Sequence, residues 1–251
     1  MKLKNKNPEI GIIGFGHFGR FIASHLNKTN KVFVSDKINK YREAQKIGVI
    51  FCSQKEVVSK DILILAVPTF ELKNLLIKIK PHLKKETIVI DICSVKILPC
   101  KLMKNILSHN EVIGTHPLFG PQSGNHGIKD MKIVVCPVRA SSNSLNKIKK
   151  ILNKLGLRII ESSPKEHDKA MASSHALMHF IARSFINIGI TNQEIKISSL
   201  DKALEIVDIF KYDSSQLFRD VQNFNPFAKK IRKRFIREIM KIEKELANDG
   251  R

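Results

Sequence analysis

The sequence predicts an α/β fold in which a doubly wound parallel sheet is followed by a second, smaller domain that is all helical. Short apolar runs alternate with amphipathic stretches as far as residue 163, a glycine-rich turn follows the first apolar run, and the pattern becomes helical throughout after Pro164. We therefore place a first domain at residues 1–163 and a second at residues 164–251. The second domain is short for an independent core, so we expect it to form a homodimer through apolar helix faces.

The strands and helices of this fold follow from periodicity. The run at 61–67 is apolar almost without interruption, which is typical of a strand covered on both faces. Expected strands are 9–13, 31–35, 49–52, 61–67, 87–92, 112–115, 131–138 and 158–162. Expected helices are 17–26, 40–46, 71–79, 97–107 and 144–155 in the first domain, then 165–190, 199–210, 214–223 and 226–247.

Composition restricts the partners. The formal net charge is +21, from 44 Lys and Arg against 23 Asp and Glu. The lysines are spread over nearly every expected helix, and two Tyr with no Trp leave little to stack on bases, so we expect no nucleic acid but a preference for anionic small molecules. No apolar run approaches the ~18 residues of a membrane span, and residues 1–6 lack the apolar core of a signal peptide, so we expect a cytoplasmic protein without a membrane partner.

No residue spacing predicts a metal site. The four cysteines show no CxxC pairing and lie in or beside apolar segments, which favours buried free thiols. His167, His175 and His179 fall on about one helix face and could be read as metal ligands. Because no HExxH arrangement or cysteine partner accompanies them, we expect no metal and favour a role for His179 facing an active-site cleft.

A glycine fingerprint between the first strand and helix predicts dinucleotide binding on a Rossmann-type sheet. The turn reads Gly14-Phe15-Gly16-His17-Phe18-Gly19. The first glycine permits a tight turn, the second lets the backbone approach a pyrophosphate, and the third allows close helix packing, while the helix N-terminus faces the phosphates. The alternative is that these glycines serve only a turn.

Asp36 ends the second expected strand about 20 residues after the fingerprint, where a carboxylate can accept both ribose hydroxyls and repel a 2′-phosphate. NAD is therefore preferred, although the neighbouring Lys37 could tolerate NADP. Val67, Pro68 and Thr69 end the fourth strand and would lie over the dinucleotide, although a simple strand terminator would look the same.

Two further residues are expected at the ligand-binding edge of the sheet. His116 follows a strand and precedes a turn rich in Pro and Gly, so its imidazole can be held rigidly and accept a proton near neutral pH. Ser94 ends the neighbouring strand, and its hydroxyl could bridge the imidazole and the nicotinamide region, or cap a helix. In the helical domain, Arg219 could grip a substrate carboxylate, or be an ordinary surface residue.

Three segments resemble the prephenate and arogenate dehydrogenase family of tyrosine biosynthesis. Residues 91–96 resemble its D-x-x-S-V-K motif and residues 114–124 its H-P-M-F-G-P-x-S-G motif, with Leu118 in place of the commoner methionine. The third match is Glu166-His167-Asp168 followed by residues 176–180. The resemblance implies that His116 is the catalytic base, that Ser94 hydrogen-bonds it, and that His179, Arg219 and Ser123 bind substrate.

The activity implied by the resemblance is oxidative decarboxylation. Hydride leaves C4 of the cyclohexadiene for NAD and His116 accepts the C4 hydroxyl proton, which gives 4-hydroxyphenylpyruvate from prephenate or tyrosine from arogenate. Two alternatives stay open: an NAD(P)-dependent reductase or dehydrogenase of another small acid on the same scaffold, and a non-catalytic dinucleotide-binding protein.

Overall fold

The computed structural model describes residues 7–249. Residues 1–6, on which the expectation of a cytoplasmic location rests, and residues 250–251, at the end of the expected second domain, lie outside the described residues. The chain divides into two compact units, one ending at Pro164 and one beginning at Lys165.

The first unit is built on a single eight-stranded sheet with the order β3-β2-β1-β4-β5-β6-β7-β8. The order of the strands therefore changes direction between β1 and β4, since β2 and β3 lie on one side of β1 and β4 and the later strands lie on the other. Open α/β sheets bind ligands at such a point, beyond the carboxyl ends of the strands. The strands are β1 (Ile10–Ile13), β2 (Val32–Ser35), β3 (Ile50–Phe51), β4 (Ile62–Leu65), β5 (Ile88–Asp91), β6 (Glu111–Pro117), β7 (Lys132–Arg139) and β8 (Arg158–Glu161).

The alternation of strands and helices predicted a parallel sheet, and one strand pair of the observed sheet departs from it. β7 pairs with β6 in the antiparallel sense, whereas β1 to β6 and the β7–β8 pair are parallel. A parallel neighbour needs a crossover, usually a helix, but residues 118–131 form only turns and the chain folds straight back. The predicted doubly wound parallel sheet is therefore confirmed except at the β6–β7 pair, which is antiparallel.

Six helices cover the two faces of the sheet. The expectation omitted α3, a short helix whose N-terminus is capped where Ser53 Oγ accepts a hydrogen bond from Glu56 N at 3.2 Å. The six are α1 (His17–Leu26), α2 (Tyr41–Lys46), α3 (Gln54–Val58), α4 (Leu72–Ile79), α5 (Ile97–Ile106) and α6 (Ser142–Lys154).

Alternate residues of the central strands enter two separate hydrophobic clusters. In β4, Ile62 and Ile64 belong to one cluster and Leu63 and Leu65 to the other. Successive side chains of a strand point to opposite faces, so a strand covered on both sides is apolar at every position. This arrangement confirms the interpretation of residues 61–67.

Over residues 165–249 the regular secondary structure of the second unit is helical. A π-helical turn at Ala172–Ala176 divides the helix expected at 165–190 into two, which periodicity alone did not indicate. The helices are α7 (Pro164–Met171), α8 (Leu177–Ile188), α9 (Ser198–Lys211), α10 (Ser215–Phe224) and α11 (Ala228–Asp249). Among residues 7–249, no helix has the length and apolar character to cross a bilayer.

Candidate active site

The glycine turn between β1 and α1 has the three local features that a pyrophosphate site needs. Gly14 has φ +99°, and a Cβ there would lie 2.2 Å from Ala66 O. A Cβ on Gly19 would lie 2.1 Å from Gly14 O, so only glycine lets α1 pack against the turn. A Cβ on Gly16 would have no atom of residues 7–249 within 4 Å apart from those of its own chain neighbours, and this residue caps α1 without a side-chain hydrogen bond. The N-terminus of α1 therefore presents backbone N–H groups beside open space.

Asp36 fastens the end of β2 to this turn. Its Oδ2 accepts a hydrogen bond from Phe15 N at 2.6 Å, and its Oδ1 accepts one from Ile38 N at 3.1 Å. Burial opposes ionisation, but these two backbone bonds and Lys40 outweigh it and lower the pKa of Asp36. The carboxylate is thus ionised where an adenosine ribose would lie.

The cation beside Asp36 is Lys40. Its Nζ lies 3.3 Å from Asp36 Oδ2 and donates to Phe15 O at 3.0 Å. Lys37, the residue suspected from sequence, is exposed and pairs instead with Glu71 Oε2 at 2.5 Å. Sequence reasoning missed Lys40, although the i,i+4 spacing from Asp36 was a signal for it.

His116 lies on a strand that extends past its neighbour. β5 and β6 stay paired as far as Asp91 and Gly114, and beyond that point β6 pairs with β7 only, with His116 opposite Val134. His116 is therefore the sixth residue of β6, whereas the expected strand ended at residue 115. It is buried and projects beyond the carboxyl end of β5, on the side of the sheet where the glycine turn also lies.

A buried ion pair stabilises this extended end of β6. Lys96 Nζ forms a short hydrogen bond with Asp91 Oδ2 and donates to Thr115 O at 2.5 Å, and both charged side chains are fully buried. Burial by itself would lower the pKa of Lys96, but the charge of Asp91 outweighs it, so the pKa is raised and the lysine stays protonated. Thr115 Oγ1 also donates to Asp91 O at 2.8 Å. The backbone just before His116 is thus tied to the segment that carries Ser94.

Ser94 lies half-buried within that segment, three residues after the end of β5. The expected hydrogen bond from Ser94 to His116 stays a prediction. Lys96 is part of the motif at residues 91–96, but the sequence indicated no role for it. Its contacts with Asp91 on β5 and Thr115 on β6 depend on the pairing of these two strands.

The loop after His116 packs on the helix that follows the glycine turn. The rings of Phe119 and Phe21 lie 6.2 Å apart, and a Cβ on Gly124 would lie 2.5 Å from Phe21 Cζ. Within the loop, Ser123 Oγ accepts a hydrogen bond from Gly120 N at 2.9 Å and is exposed. Ser123 therefore stabilises the turn, and its expected contact with substrate stays a prediction.

The remaining residues expected to contact the cofactor lie in the glycine turn and just after β4, and they differ in exposure. Phe15 and Thr69 are buried, Phe18 and Val67 are half-buried, and His17 and Pro68 are exposed. Cys93 Sγ lies 3.8 Å from Val67 O, and burial raises the pKa of this thiol to about 12, so it is an un-ionised core residue.

The helical unit holds a cluster of polar and aromatic side chains around His179. The His179 ring stacks on Phe210 with centroids 4.7 Å apart and meets Phe218 edge-on at 5.0 Å. Within residues 7–249 neither ring nitrogen has a hydrogen-bond partner, and Asp213 Oδ2 is 3.9 Å from Nε2. Burial first, and then the nearby charges of His175 and Arg183, lower the pKa of His179 to about 3, so the imidazole is neutral.

Arg219 and Arg183, two of the arginines of this unit, differ in environment. Arg219 is exposed, and its Nη2 donates to Gln216 Oε1 at 2.9 Å on the same helix. Arg183, one helical turn after His179, has a buried Nη2 that finds no hydrogen-bond partner in the described chain, and its Cζ lies 5.3 Å from the centre of the Phe218 ring. Sequence reasoning selected Arg219 and missed Arg183, although the spacing of four residues from His179 was a signal.

His167 belongs to a different set of contacts. Its Nδ1 lies 2.8 Å from Asp168 Oδ1, and Asn225 Nδ2 donates to the Asp168 carbonyl at 2.8 Å. Over residues 7–249 no group of three His, Cys, Asp or Glu side chains is arranged to hold a metal ion.

The strand order, glycine turn and Asp36 define the first unit as a dinucleotide-binding domain. The family described as prephenate dehydrogenase, nucleotide-binding domain, matches residues 18–161, more than half of the chain. This chain therefore belongs to the prephenate dehydrogenase family.

Individual relatives agree with this assignment. The chain is 29% identical to a probable arogenate/prephenate dehydrogenase of Methanocaldococcus jannaschii over 99% of its own length and 59% of the relative. It is 28% identical to the chloroplastic arogenate dehydrogenase 1 of Arabidopsis thaliana, over 90% of the chain and 37% of that protein. The chain thus spans less than two thirds of either relative.

A solved structure shows the same fold. The prephenate dehydrogenase from A. aeolicus, in complex with hydroxyphenyl propionate and NAD+, superposes with a TM-score of 0.76 at 19% identity. The superposition covers 100% of this chain and 93% of that one.

Proposed function

We propose that this protein is an NAD-dependent dehydrogenase that oxidatively decarboxylates prephenate or arogenate. The observation that carries the proposal is the position of His116, held on the strand end that extends beyond β5 on the ligand side of a dinucleotide-binding sheet. Family membership supplies the substrate class, since the relatives are named for prephenate and arogenate.

The residues around the glycine turn fit a nicotinamide dinucleotide. The uncapped N-terminus of α1 beside Gly16 would hold the pyrophosphate, and Asp36 would accept the ribose hydroxyls. Val67, Pro68 and Thr69 would line the dinucleotide beyond β4. When bound, the nicotinamide supplies the acceptor for hydride. We propose NAD over NADP because the ionised Asp36 would repel a 2′-phosphate, with Lys40 reducing that repulsion.

The role proposed for His116 is to take the proton of the substrate's C4 hydroxyl as that carbon is oxidised. An imidazole in its neutral form can accept this proton near pH 7. Ser94 would hydrogen-bond the imidazole and hold it in one orientation. Loss of the ring carboxylate as carbon dioxide then leaves an aromatic phenolate, and the protonated His116 would return its proton to that oxygen to give the phenol.

Substrate binding is assigned to His179, Arg219 and Ser123. Prephenate is a dianion with a ring carboxylate and a side-chain carboxylate, and arogenate carries both carboxylates as well. The basic composition of the chain, with a net charge of +21, favours such ligands. We further propose a cytoplasmic enzyme.

A homodimer is proposed from the surface of the last helix. α11 exposes Ile236, Ile239, Met240, Ile242 and Leu246, with exposed fractions of 40% to 66%. Positions three and four apart lie on one side of a helix, so these residues form a continuous apolar stripe. A second copy of the chain would cover this stripe.

The experiment is to follow NADH formation and carbon dioxide release in one sample with prephenate and then with arogenate. The proposal expects equal amounts of both products from at least one of the two substrates. A small hydroxy acid such as 3-hydroxyisobutyrate serves as the control for a dehydrogenase of another small acid. NADH formation from the control alone, or from none of the three compounds, contradicts the proposal.

A further inference from the structure

The polar cluster in the helical unit contains an arginine for which neither the family assignment nor the fold supplies a role. Arg183 lies on α8, its Nη2 is buried, and within residues 7–249 it forms no hydrogen bond or ion pair. An unpaired charge donor in the protein interior costs free energy that a structural arginine avoids by pairing. Its guanidinium group instead lies over the Phe218 ring, with Cζ 5.3 Å from the ring centre.

The neighbours of Arg183 suit an anion. His179 is neutral, and both of its ring nitrogens are buried without a hydrogen-bond partner in the described chain, so it can donate one hydrogen bond to an added oxygen. Phe210 and Phe218 enclose the imidazole on two sides. A carboxylate here would receive one bond from a guanidinium and one from an imidazole, in surroundings of low polarity where such bonds are strong.

Asp213 is the acidic group that faces this cluster. Its Oδ2 lies 3.9 Å from His179 Nε2, too far for a hydrogen bond, and it forms no ion pair with Arg183 within 4.0 Å. Burial raises the pKa of Asp213 to about 6, although Arg183 lowers it. Asp213 therefore does not satisfy the guanidinium, and its charge opposes a second carboxylate.

On the basis of the proposed function, we infer that Arg183 and His179 bind the side-chain carboxylate of the substrate, the one that the product retains. The other carboxylate leaves the ring as neutral carbon dioxide. A strong charge-assisted bond to that leaving group would stabilise the ground state more than the transition state and slow the reaction. A half-buried arginine with a buried Nη2 is therefore suited to the carboxylate that keeps its charge throughout, and the exposed Arg219 would contact other parts of the substrate.

The test compares two ligands that differ only in this group. 4-Hydroxyphenylpyruvate keeps the side-chain carboxylate, and 4-hydroxyphenylacetone has a methyl group in its place. Dissociation constants for both are measured by calorimetry at saturating NAD, for the unmodified protein, Arg183→Gln, Arg183→Lys and the control Arg234→Gln. Arg234 is an exposed arginine on α11.

Loss of a charge-assisted contact in a desolvated site should weaken binding of 4-hydroxyphenylpyruvate about 10–100-fold in Arg183→Gln. Binding of 4-hydroxyphenylacetone and of NAD should not change. Arg183→Lys should recover only part of the affinity for 4-hydroxyphenylpyruvate, because an ammonium lacks the planar fork of donors that a guanidinium offers a carboxylate. KM for prephenate or arogenate should rise by a similar factor with kcat little changed. Asp213→Asn should tighten binding of 4-hydroxyphenylpyruvate.

Equal binding of 4-hydroxyphenylpyruvate by Arg183→Gln and the unmodified protein overturns the inference. So does a raised substrate KM with unchanged affinity for 4-hydroxyphenylpyruvate, since Arg183 would then hold the leaving carboxylate. Binding is measured without turnover, so the two proposals fail separately. A protein that oxidises neither cyclohexadiene but still binds 4-hydroxyphenylpyruvate through Arg183 refutes the proposed function and keeps this site.

Discussion

Replacing Lys96 by Met should destabilise the sheet domain strongly and slow turnover. The change removes the ammonium from a fully buried ion pair and leaves Asp91 with one remaining bond to its Oδ2, from Cys93 N at 3.0 Å. Removing one partner of a buried pair costs about 3–5 kcal/mol because the other charge stays buried without compensation. For a domain of this size about 1 kcal/mol corresponds to about 2–4 °C in Tm, so the transition should fall by roughly 6–20 °C.

The same substitution removes the bond to the carbonyl of Thr115, the residue before His116. A displacement of the imidazole by a fraction of an ångström should lower kcat about 10–100-fold. KM for NAD should stay near its original value, because Asp36 and the glycine turn are held by hydrogen bonds with Phe15, Ile38 and Lys40 that the substitution leaves in place. This split between kcat and KM separates a positioning role from a general loss of folded protein.

The assay is scanning calorimetry of purified protein, with kinetics measured well below the transition. Arg158→Met is the matched control, since Arg158 pairs with Asp130 in an ion pair whose side chains are 67% and 61% exposed. Exposed pairs contribute about 0–1 kcal/mol, so this control should move Tm by no more than about 4 °C. A Lys96→Met protein that melts with the control, or that keeps full kcat, would refute this account of the buried pair.

Three further outcomes are expected. kcat/KM should be higher with NAD than with NADP. Asp36→Asn should lower the NAD-to-NADP ratio of kcat/KM and Lys40→Met should raise it, because the carboxylate repels a 2′-phosphate and the ammonium attracts it. A higher kcat/KM with NADP in the unmodified protein would contradict the proposal of NAD as the cofactor. Arg219→Ala should raise KM for the cyclohexadiene and leave KM for NAD unchanged. An unchanged KM for the cyclohexadiene would show that Arg219 has no role in substrate binding. Met240→Glu should yield monomers in sedimentation experiments while Arg234→Glu stays dimeric, and an unmodified protein that is monomeric and fully active would exclude the dimer.

Most of the sheet domain could be predicted because its signals are local. A continuous apolar run such as residues 61–67 predicts a strand covered on both faces, and the structure places its alternate residues in two hydrophobic clusters. The glycine turn could be predicted for the same reason, since a positive φ at Gly14 and the close approach of Gly19 leave no other residue possible.

The direction of β7 could not be predicted, because it depends on what residues 118–131 do. Pro and Gly in that segment indicate turns, but turns are compatible with either a return beside β6 or a passage to another edge. The π-helical turn at Ala172–Ala176 was missed for a related reason, since one extra residue per turn changes the hydrogen-bond register without changing the helical composition.

The positions of candidate site residues could be predicted where one strand end was enough to place them, and not where the contact depends on two elements. His116 and Asp36 stand at strand ends, which periodicity locates. Lys40 and Arg183 were missed because their contacts are with other elements, Asp36 for Lys40 and Phe218 for Arg183. The spacing of residues within one element does not determine which side chains of a neighbouring element they contact.

The central claim is that His116 accepts a proton in an NAD-dependent oxidation of prephenate or arogenate. The most direct measurement is single-turnover NADH formation by His116→Asn with the better of the two substrates, beside the NAD dissociation constant of the same variant. The account predicts a rate about 10²–10⁴-fold below that of the unmodified protein with NAD affinity unchanged. A rate within a factor of about three of the original would contradict it, because an asparagine cannot take up the proton.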